Sequence, residues 1–332
     1  MKIGLLQWLI CPRDCGRLVL SNHKQSDGDV ETGVLRCSVC HRDYPIVRGI
    51  PRFVAADGYA SSFGLQWNRH ARVQLDSNNG TTFSRSRFYG ITEWLPSELE
   101  GKLILDVGCG AGRFSEVALT DGAEVIAIDL SSAVDAADQN LGRNRKFHCV
   151  QASIYALPFA DATFDYAYCI GVIQHTPEPQ RAVQNILPKI KMGGKAGFWI
   201  YERDWKAFIG TIGFKYLLRP VTRRWDFERT TRFACALEKL FWPITRWARK
   251  RGVLGKAVMR LLPISCAHLQ GLPLAEADFR EWTRLDTIDM YSPAHDHPQR
   301  FGRVKAWLEQ AGFAVDSRHP HGGISITGRR LR

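Results

Sequence analysis

The sequence predicts an α/β fold with a doubly wound, mostly parallel sheet. From Lys102 onward, short apolar runs alternate with segments of helical periodicity. A glycine-rich turn joins the first of these runs to the first helix. We expect strands at about 102–107, 124–129, 146–151, 164–170 and 195–201, and helices that begin near Gly112, Ser131 and Glu178. Ligands of such sheets bind at the carboxyl ends of the strands.

The composition is that of a globular protein with an anionic partner. The 332 residues are 45% hydrophobic, and the formal net charge is +12. The apolar start, MKIGLLQWLI, runs into Cys11 and Pro12 without a small-residue cleavage site, and no apolar run is long enough to span a bilayer. We therefore expect a cytoplasmic protein. Its nine cysteines, an odd number, favour reduced thiols and a metal site over a disulfide framework.

The amino-terminal segment has the cysteine spacing of a zinc ribbon. The pattern is C-x3-C, a gap of 21 residues, and C-x2-C, formed by Cys11, Cys15, Cys37 and Cys40. It resembles the zinc-ribbon-like domain of the small activator subunit of tRNA methyltransferases, with a wider first pair. We expect these cysteines to hold a structural Zn²⁺, because all four positions are closed. A ribbon without its metal is the alternative.

The turn after the first apolar run indicates which nucleotide is bound. Its glycines follow the spacing G-x-G-x-G, whereas dinucleotide sites have G-x-G-x-x-G, and Arg113 stands where that third glycine would fall. Asp106 would repel a pyrophosphate, but it suits a ligand that carries an ammonium and a sulfonium. Asp129 ends the next strand and can accept hydrogen bonds from both ribose hydroxyls. The sequence therefore predicts S-adenosylmethionine as the ligand.

The segments DVGCGAGRF, VIAIDLS, ALPFADATFDYAYCIGVIQHTPEPQRAV and PKIKMGGKAGFWIY extend this prediction. They resemble the class I S-adenosylmethionine-dependent methyltransferases, in particular the quinone-biosynthesis-like small-molecule branch, over about residues 100–202. The resemblance implies a seven-stranded Rossmann-like sheet with a final antiparallel hairpin. The residues expected to bind the donor are Asp106, Gly108, Cys109, Gly110, Gly112, Asp129, Leu130, Ser153, Ile154, Cys169 and Ile170.

Two further features of the donor site follow from the resemblance. Ser153 stands where the family has an acid that takes the adenine amino group, and a hydroxyl accepts this bond more weakly. The segment before the first strand commonly covers the cofactor in this family. We therefore expect Phe63, Trp67, Arg87 and Phe88 to line the donor pocket, with ordinary core packing as the alternative.

His175 is the candidate catalytic residue. The fourth strand ends in CIGVIQHTP and lacks the [DN]-P-P-[YF] motif of nucleobase and glutamine amino-methyltransferases. An imidazole here could take a proton from a hydroxyl or an acidic carbon. A histidine that braces the following helix is the alternative, and positioning alone can suffice for methyl transfer. Candidate acceptor-binding residues are Tyr201, Tyr291 and His295. Asp286, Asp296 and His297 concentrate further polar groups around the last two, in a loop with two prolines, and a structural turn is the alternative.

A basic helical insertion interrupts the sheet pattern after Tyr201. Residues 201–262 contain 15 Lys and Arg against 5 Asp and Glu, so most of the net charge lies here. Apolar residues recur at helical spacing and predict amphipathic helices with cationic faces. We expect a substrate lid that contacts a membrane surface and takes a lipid-linked or anionic acceptor. A solvated charged face is the plain alternative.

Together these features predict four segments. They are a zinc-ribbon-like domain (1–56), a cofactor-covering linker (57–100), a methyltransferase domain (101–203 and 284–332) and a basic helical lid (204–283). The predicted function is methyl transfer from S-adenosylmethionine to oxygen or carbon of a small or lipid-like acceptor. An RNA methyltransferase is the first alternative, because a ribbon and a basic chain suit nucleic acid. A non-catalytic scaffold is the second.

Overall fold

In the computed structural model the chain begins with a small antiparallel sheet. The structure describes residues 1–26, 28–54, 58–203, 211–320 and 323–332. The four strands pair in chain order, and they are β1 (Leu18–Ser26), β2 (Asp29–Cys37), β3 (Asp43–Val47) and β4 (Ile50–Pro51). The cysteine-bearing loops lie at one end of this sheet, before β1 and between β2 and β3.

Three short helices follow the small sheet and precede the large one. They are α1 (Ser61–Arg69), α2 (Asp76–Asn79) and α3 (Phe83–Thr92). The α3 residue Phe88 is fully buried and packs edge-on against Tyr168 of the large sheet. This part of the linker therefore belongs to the core of the sheet domain.

The large sheet has seven strands. They are β5 (Leu103–Val107), β6 (Glu124–Asp129), β7 (Phe147–Gln151), β8 (Phe164–Ile170), β9 (Ile190–Ile200), β10 (Phe313–Pro320) and β11 (Ile324–Arg330). Their order is β10-β11-β9-β8-β5-β6-β7. The pairs among β5 to β9 are parallel, whereas β11 pairs antiparallel with both β9 and β10. The predicted fold class, including the final hairpin, is confirmed.

Helices connect the parallel strands and cover both faces of the sheet. They are α4 (Arg113–Thr120), α5 (Ala133–Leu141), α6 (Pro179–Ile186) and, before the final hairpin, α11 (Phe301–Gln310). The central strand β5 is buried along its whole length, and its neighbours β6 and β8 are buried at all but two positions each, as parallel strands covered on both faces must be. The carboxyl ends of β5, β6 and β8 consequently open toward the same edge.

The insertion is helical and lies over that edge. It consists of α7 (Thr211–Thr222), α8 (Phe227–Arg249), α9 (Gly252–Met259) and α10 (Glu276–Tyr291). The boundary expected between 283 and 284 falls inside α10. The boundaries expected at 56/57 and 203/204 lie at residues outside the described ranges. Among the described residues, no helix is both long and apolar enough to cross a bilayer.

The amino-terminal sheet is fixed to the edge strand β7. Arg52 forms a parallel bridge with Gln151, and its guanidinium donates to the Gln151 Oε1 at 2.7 Å. The same guanidinium pairs with Asp135 at 2.7 Å, and both side chains are largely buried. Leu5 and Leu35 share one apolar core with Phe159 of the large domain. The two sheets therefore pack as one unit.

We predict that Arg52→Ala lowers the free energy of unfolding by about 1.5 to 3 kcal/mol, because it removes the charge-assisted hydrogen bonds to Asp135 and Gln151 and leaves Asp135 with the exposed Arg48 as its ion-pair partner. Urea denaturation measures this change. Arg36→Ala is the matched control, since it removes an exposed pair with Asp43 within the small sheet, and it should leave the unfolding midpoint nearly unchanged. Equal losses in the two variants would contradict the role given to Arg52.

Candidate active site

A cavity of about 880 Å³ lies at the carboxyl ends of the parallel strands, under the insertion. Its walls come from the turn after β5, the ends of β6, β8 and β9, the linker helix α1, and the lid helices α7 and α10. This volume is near the upper end of the range for ligand sites. A nucleoside-sized donor and a second molecule can therefore occupy it together.

The glycine turn forms the floor of the cavity. Gly108 and Gly110 have φ of +79° and +53°, in the left-handed region that favours glycine. A Cβ at Gly108 would lie 2.4 Å from the Val172 side chain, and one at Gly110 would lie 3.0 Å from the Trp67 ring. The N–H groups of Gly108 and Cys109 both donate to the Ile128 carbonyl of the next strand. The turn is therefore shaped by close packing on both sides.

Asp129 is fixed at the wall of the cavity by the same turn. Its Oδ2 accepts from the Gly110 N–H at 3.1 Å. Its Oδ1 accepts from the N–H and the hydroxyl of Ser131, at 2.9 and 2.7 Å. Each carboxylate oxygen can accept more than one hydrogen bond. The carboxylate is thus oriented in advance toward a ligand in the cavity.

The position of Asp106 differs from the expectation. Its carboxyl lies beneath the turn, where Oδ2 accepts from the Ser115 hydroxyl at 2.6 Å, and it does not line the cavity. Burial raises the pKa of Asp106 to about 7. Side chains alternate along a strand, and the next residue, Val107, is the one that lines the cavity. Asp106 therefore ties β5 to α4 and does not reach a ligand directly.

The other expected donor residues divide into two groups. Those that line the cavity are Gly108, Cys109, Gly110, Asp129, Leu130, Ile154 and Ile170. Gly112, Ser153 and Cys169 do not. Gly112 precedes α4 and abuts Leu141, Cys169 is fully buried in the core, and the Ser153 hydroxyl accepts from the Tyr155 N–H within its own turn at 3.2 Å. Such local bonding is common for serine.

The linker contributes an apolar and cationic wall. Phe63, Trp67 and Arg87 line the cavity, whereas Phe88 lies in the core. The Arg87 guanidinium stacks on the Trp199 ring at 4.4 Å. Within the described ranges it makes neither a hydrogen bond nor an ion pair. A cation without a counter-ion in a cavity is a suitable partner for a ligand carboxylate.

His175 lines the cavity and is 5% exposed. Its Nδ1 lies 3.0 Å from the His295 carbonyl, which can only accept, so Nδ1 carries the proton. The Nε2 is buried and has no hydrogen-bond partner in the described part of the chain. Burial lowers the pKa of His175 to about 4, and Lys215 and Arg219 add to this effect. The imidazole is therefore neutral at physiological pH, with its lone pair on Nε2.

The three candidate acceptor residues separate. Tyr201 lines the cavity, edge-on to His175 at a centroid distance of 5.4 Å. Tyr291 does not, because its fully buried side chain donates to the Pro263 carbonyl at 3.0 Å and packs on Phe233. The His295 ring stacks with His297 outside the cavity, whereas the His295 carbonyl is hydrogen-bonded to His175.

Two acidic residues of α10, Asp286 and Asp289, line the cavity. Asp286 was among the polar groups predicted to form the acceptor pocket, whereas Asp289 was missed by the site prediction. Asp286 pairs with His268 at 2.8 Å. Burial raises the pKa of Asp289 to about 7. Their i, i+3 spacing places them on one helix face. That spacing is visible in the sequence, but only the fold shows that this face meets the cavity.

The basic residues of α7 correct the expectation of a cationic outer face. Lys215 and Arg219 point inward, where both pair with the fully buried Asp296 at 2.7 and 3.0 Å. The side chains of Phe214, Leu217 and Val221, at i, i+3 and i+7, are exposed instead. The pairing with Asp296 anchors α7 to the loop that carries the His295 carbonyl.

The amino-terminal cluster also differs from the expectation. The described chain brings together Cys11, Asp14, Cys37 and Cys40, whose ligand atoms all lie within 4.8 Å of one another. Cys15 is exposed and lies outside this group. Three thiolates and a carboxylate are a donor set that Zn²⁺ accepts.

Comparisons with known proteins find a matching family and several relatives. A family described as "Methyltransferase domain" matches residues 105–198. The chain is 33% identical over 181 residues to a ubiquinone biosynthesis O-methyltransferase of Coxiella burnetii, covering 52% of this chain and 70% of that one. A protein of the same name from Pseudomonas fluorescens is 29% identical over 169 residues, with coverage of 49% and 69%.

Among solved structures, a magnesium protoporphyrin IX methyltransferase from Synechocystis overlaps 82% of this chain and 96% of its own, with a TM-score of 0.44 and 12% identity. The matched family and the quinone-biosynthesis relatives favour neither the RNA methyltransferase nor the scaffold alternative. On the strength of these relatives, the chain belongs to the class I S-adenosylmethionine-dependent methyltransferases, in their quinone-biosynthesis-like branch.

Proposed function

We propose that this enzyme methylates a phenolic hydroxyl of an apolar small molecule, with His175 as the general base. The observation that carries this proposal is a neutral histidine whose buried Nε2 has no hydrogen-bond partner among the described residues, in the same cavity as the oriented carboxylate of Asp129. The names of the relatives, which refer to ubiquinone biosynthesis, agree with a phenolic acceptor.

The residues fit the donor at one end of the cavity. Asp129 would accept from the ribose hydroxyls, and Arg87 would bind the carboxylate of the methionine part. Ile154 and Leu130 provide apolar walls beside Asp129 for the adenine ring. When bound, the donor supplies a methyl group on a sulfonium that is already activated for displacement.

The chain's own residues complete the reaction at the other end. The acceptor hydroxyl would donate a hydrogen bond to Nε2 of His175, and its proton would pass to that nitrogen as the oxygen gains the methyl group. The products would be a methyl ether and S-adenosylhomocysteine. The Nδ1–H bond to the His295 carbonyl keeps the ring in the required tautomer.

The weak basicity of His175 supports a phenol over an aliphatic alcohol. A base with a pKa of about 4 can share the proton of an acidic hydroxyl far more readily than that of an ordinary alcohol. The aromatic side chains of Phe63, Trp199 and Tyr201 line the cavity and suit a planar ring.

We predict that His175→Gln lowers turnover by about 10² to 10⁴-fold and leaves the affinity for S-adenosylhomocysteine unchanged. Glutamine can still donate to the His295 carbonyl, but it cannot take the proton. Transfer of labelled methyl to an alkyl catechol measures turnover, and calorimetry measures affinity. His297→Gln, at an exposed histidine outside the cavity, is the matched control.

The pH profile gives the same test a second readout. The wild-type rate should show no inflection near the ordinary histidine value of about 6.5 and should fall only as the pH approaches about 4, where His175 becomes charged. Full activity of the glutamine variant, or a wild-type inflection near the ordinary value, would refute the assignment.

We also propose that the outer face of the lid binds an anionic membrane, from which an apolar acceptor enters. The Leu217 and Val253 side chains are 72% and 88% exposed. On α8 the exposed Leu240, Ile244 and Trp247 lie at i, i+4 and i+7. Exposed cations follow in the next row of the same helix, at Lys239 and Arg246, and Lys250 continues this row at the C-cap. An apolar row flanked by cations suits the headgroup region, so we place the enzyme at the cytoplasmic face of a membrane.

We predict that the protein sediments with vesicles of phosphatidylcholine and phosphatidylglycerol more than with phosphatidylcholine alone, and that the double variant Leu217→Asp, Val253→Asp abolishes sedimentation. Leu95→Asp with Met192→Asp is the control, because these side chains are similarly exposed on other elements. The proposal fails if the wild type does not sediment, or if the control pair loses binding equally.

Finally, we propose a structural Zn²⁺ at the amino-terminal cluster. The three thiols and the carboxylate within 4.8 Å of one another support it. Most buried residues of the small sheet belong to one apolar cluster with the large domain, and metal binding would contribute further folding free energy there. None of the four cluster residues is among those that line the cavity, which favours a structural role.

A further inference from the structure

We propose that Asp14, and not Cys15, is the fourth ligand of the amino-terminal zinc site. The site would then consist of the thiolates of Cys11, Cys37 and Cys40 and one carboxylate. This inference rests on the proposed zinc, and it departs from the four-cysteine set that the sequence suggests. It is carried by the backbone of the two ligand loops.

The loops Cys11–Gly16 and Cys37–Arg42 have the same hydrogen-bond pattern. In the first, the Cys11 N–H donates to the Gly16 carbonyl at 2.9 Å, and the Cys15 N–H donates to the Cys11 carbonyl at 2.9 Å. In the second, the Cys37 N–H donates to the Arg42 carbonyl at 2.9 Å, and the His41 N–H donates to the Cys37 carbonyl at 3.1 Å. The two loops therefore correspond residue by residue.

The backbone angles confirm this correspondence. Cys15 and His41 occupy the same place in their loops, and both have positive φ, of 59° and 57°. Both side chains are exposed. By the same alignment Asp14 corresponds to Cys40. The ligand pairs are thus 11 and 14 in one loop and 37 and 40 in the other, with two residues between them in each case.

Two separations within the cluster are close to those of a tetrahedral site. Two sulfurs bound to one zinc at about 2.3 Å lie about 3.8 Å apart, and a sulfur and an oxygen lie about 3.5 Å apart. The sulfurs of Cys11 and Cys40 are separated by 3.7 Å. The Cys37 sulfur lies 3.3 Å from Oδ1 of Asp14. All four ligand atoms lie within 4.8 Å of one another, so the groups need only small shifts to enclose one ion.

The surroundings hold the Asp14 carboxylate in place. Its Oδ1 accepts from the Gly16 N–H at 2.9 Å. A Cβ at Gly16 would lie 2.7 Å from the Cys37 sulfur and 3.0 Å from the same Oδ1, so only glycine fits beside the cluster. Comparable bonds orient the other loop, where the N–H groups of Val39 and Cys40 donate to the Cys37 sulfur. Outer hydrogen bonds of this kind fix ligand orientation.

The assignment leaves Cys15 as a free, exposed thiol beside the metal. A carboxylate in place of a thiolate keeps the charge of the site but makes one of its ligands an oxygen. X-ray absorption of the zinc-loaded full chain should therefore fit three sulfur neighbours and one oxygen neighbour. This measurement needs no variant.

Variants distinguish the two candidates directly. Cys15→Ser should retain one zinc per chain with unchanged affinity in competition with a chelator. Asp14→Asn should lower zinc affinity by at least about tenfold, the loss seen when even outer partners of a site are removed. Asp14→Cys, in contrast to Asp14→Asn, should retain zinc binding, now with four sulfur neighbours. Cys37→Ser serves as the positive control for loss.

The outcomes separate this inference from the zinc proposal on which it rests. Four sulfur neighbours in the wild type, or loss of zinc in Cys15→Ser with retention in Asp14→Asn, would overturn the ligand assignment and keep the metal. A full chain that binds no zinc would overturn both. Rapid alkylation of Cys15 in the zinc-loaded protein, with Cys11, Cys37 and Cys40 protected, would support both.

Discussion

The site depends on the hydrogen bonds that join Asp129 to the glycine turn. The carboxylate at the end of β6 accepts from Gly110 on the turn after β5, and from Ser131 at the start of the next connection. Since β5 and β6 are parallel neighbours, this side chain joins the turn after one strand to the end of the next. The shape of the turn and the position of the carboxylate are therefore fixed together, and both lie at the wall of the cavity.

The part of the cavity proposed to hold the acceptor is positioned by a buried cluster of one acid and two cations. Asp296 holds Lys215 and Arg219 of α7, and its neighbour His295 presents the carbonyl that orients His175. The inward turn of these two cations explains the apolar outer face of the helix. The ion pairs of Asp296 therefore connect the loop that sets the tautomer of His175 to the helix α7, whose outer face is proposed to contact the membrane.

The parallel strands and their connecting helices were predicted from the sequence, because periodicity and strand-end residues are local signals. The final hairpin was implied by the family resemblance, and the strand order was not predicted. The directions of individual side chains were not predictable from local signals either. The Asp106 side chain does not face the cavity, because side chains alternate along β5 and Val107 is the residue that lines the cavity. The Cys15 side chain points away from the cluster, because its loop places the proposed ligand one residue earlier. The Tyr291 side chain is buried in the insertion, where it donates to the Pro263 carbonyl. Asp286 and Asp289 line the cavity because tertiary packing turns their face of α10 toward it. Such outcomes depend on contacts between segments far apart in the chain.

The most direct test of the central claim, that one cavity places Asp129 at the donor and His175 at the reacting centre, is a crystal structure with S-adenosylhomocysteine bound. The account predicts ribose hydroxyls on the Asp129 carboxylate, the ligand carboxylate at Arg87, and the sulfur on the side of the cavity where His175 lies. A ligand whose ribose lies away from Asp129, or whose sulfur is screened from His175, would contradict it.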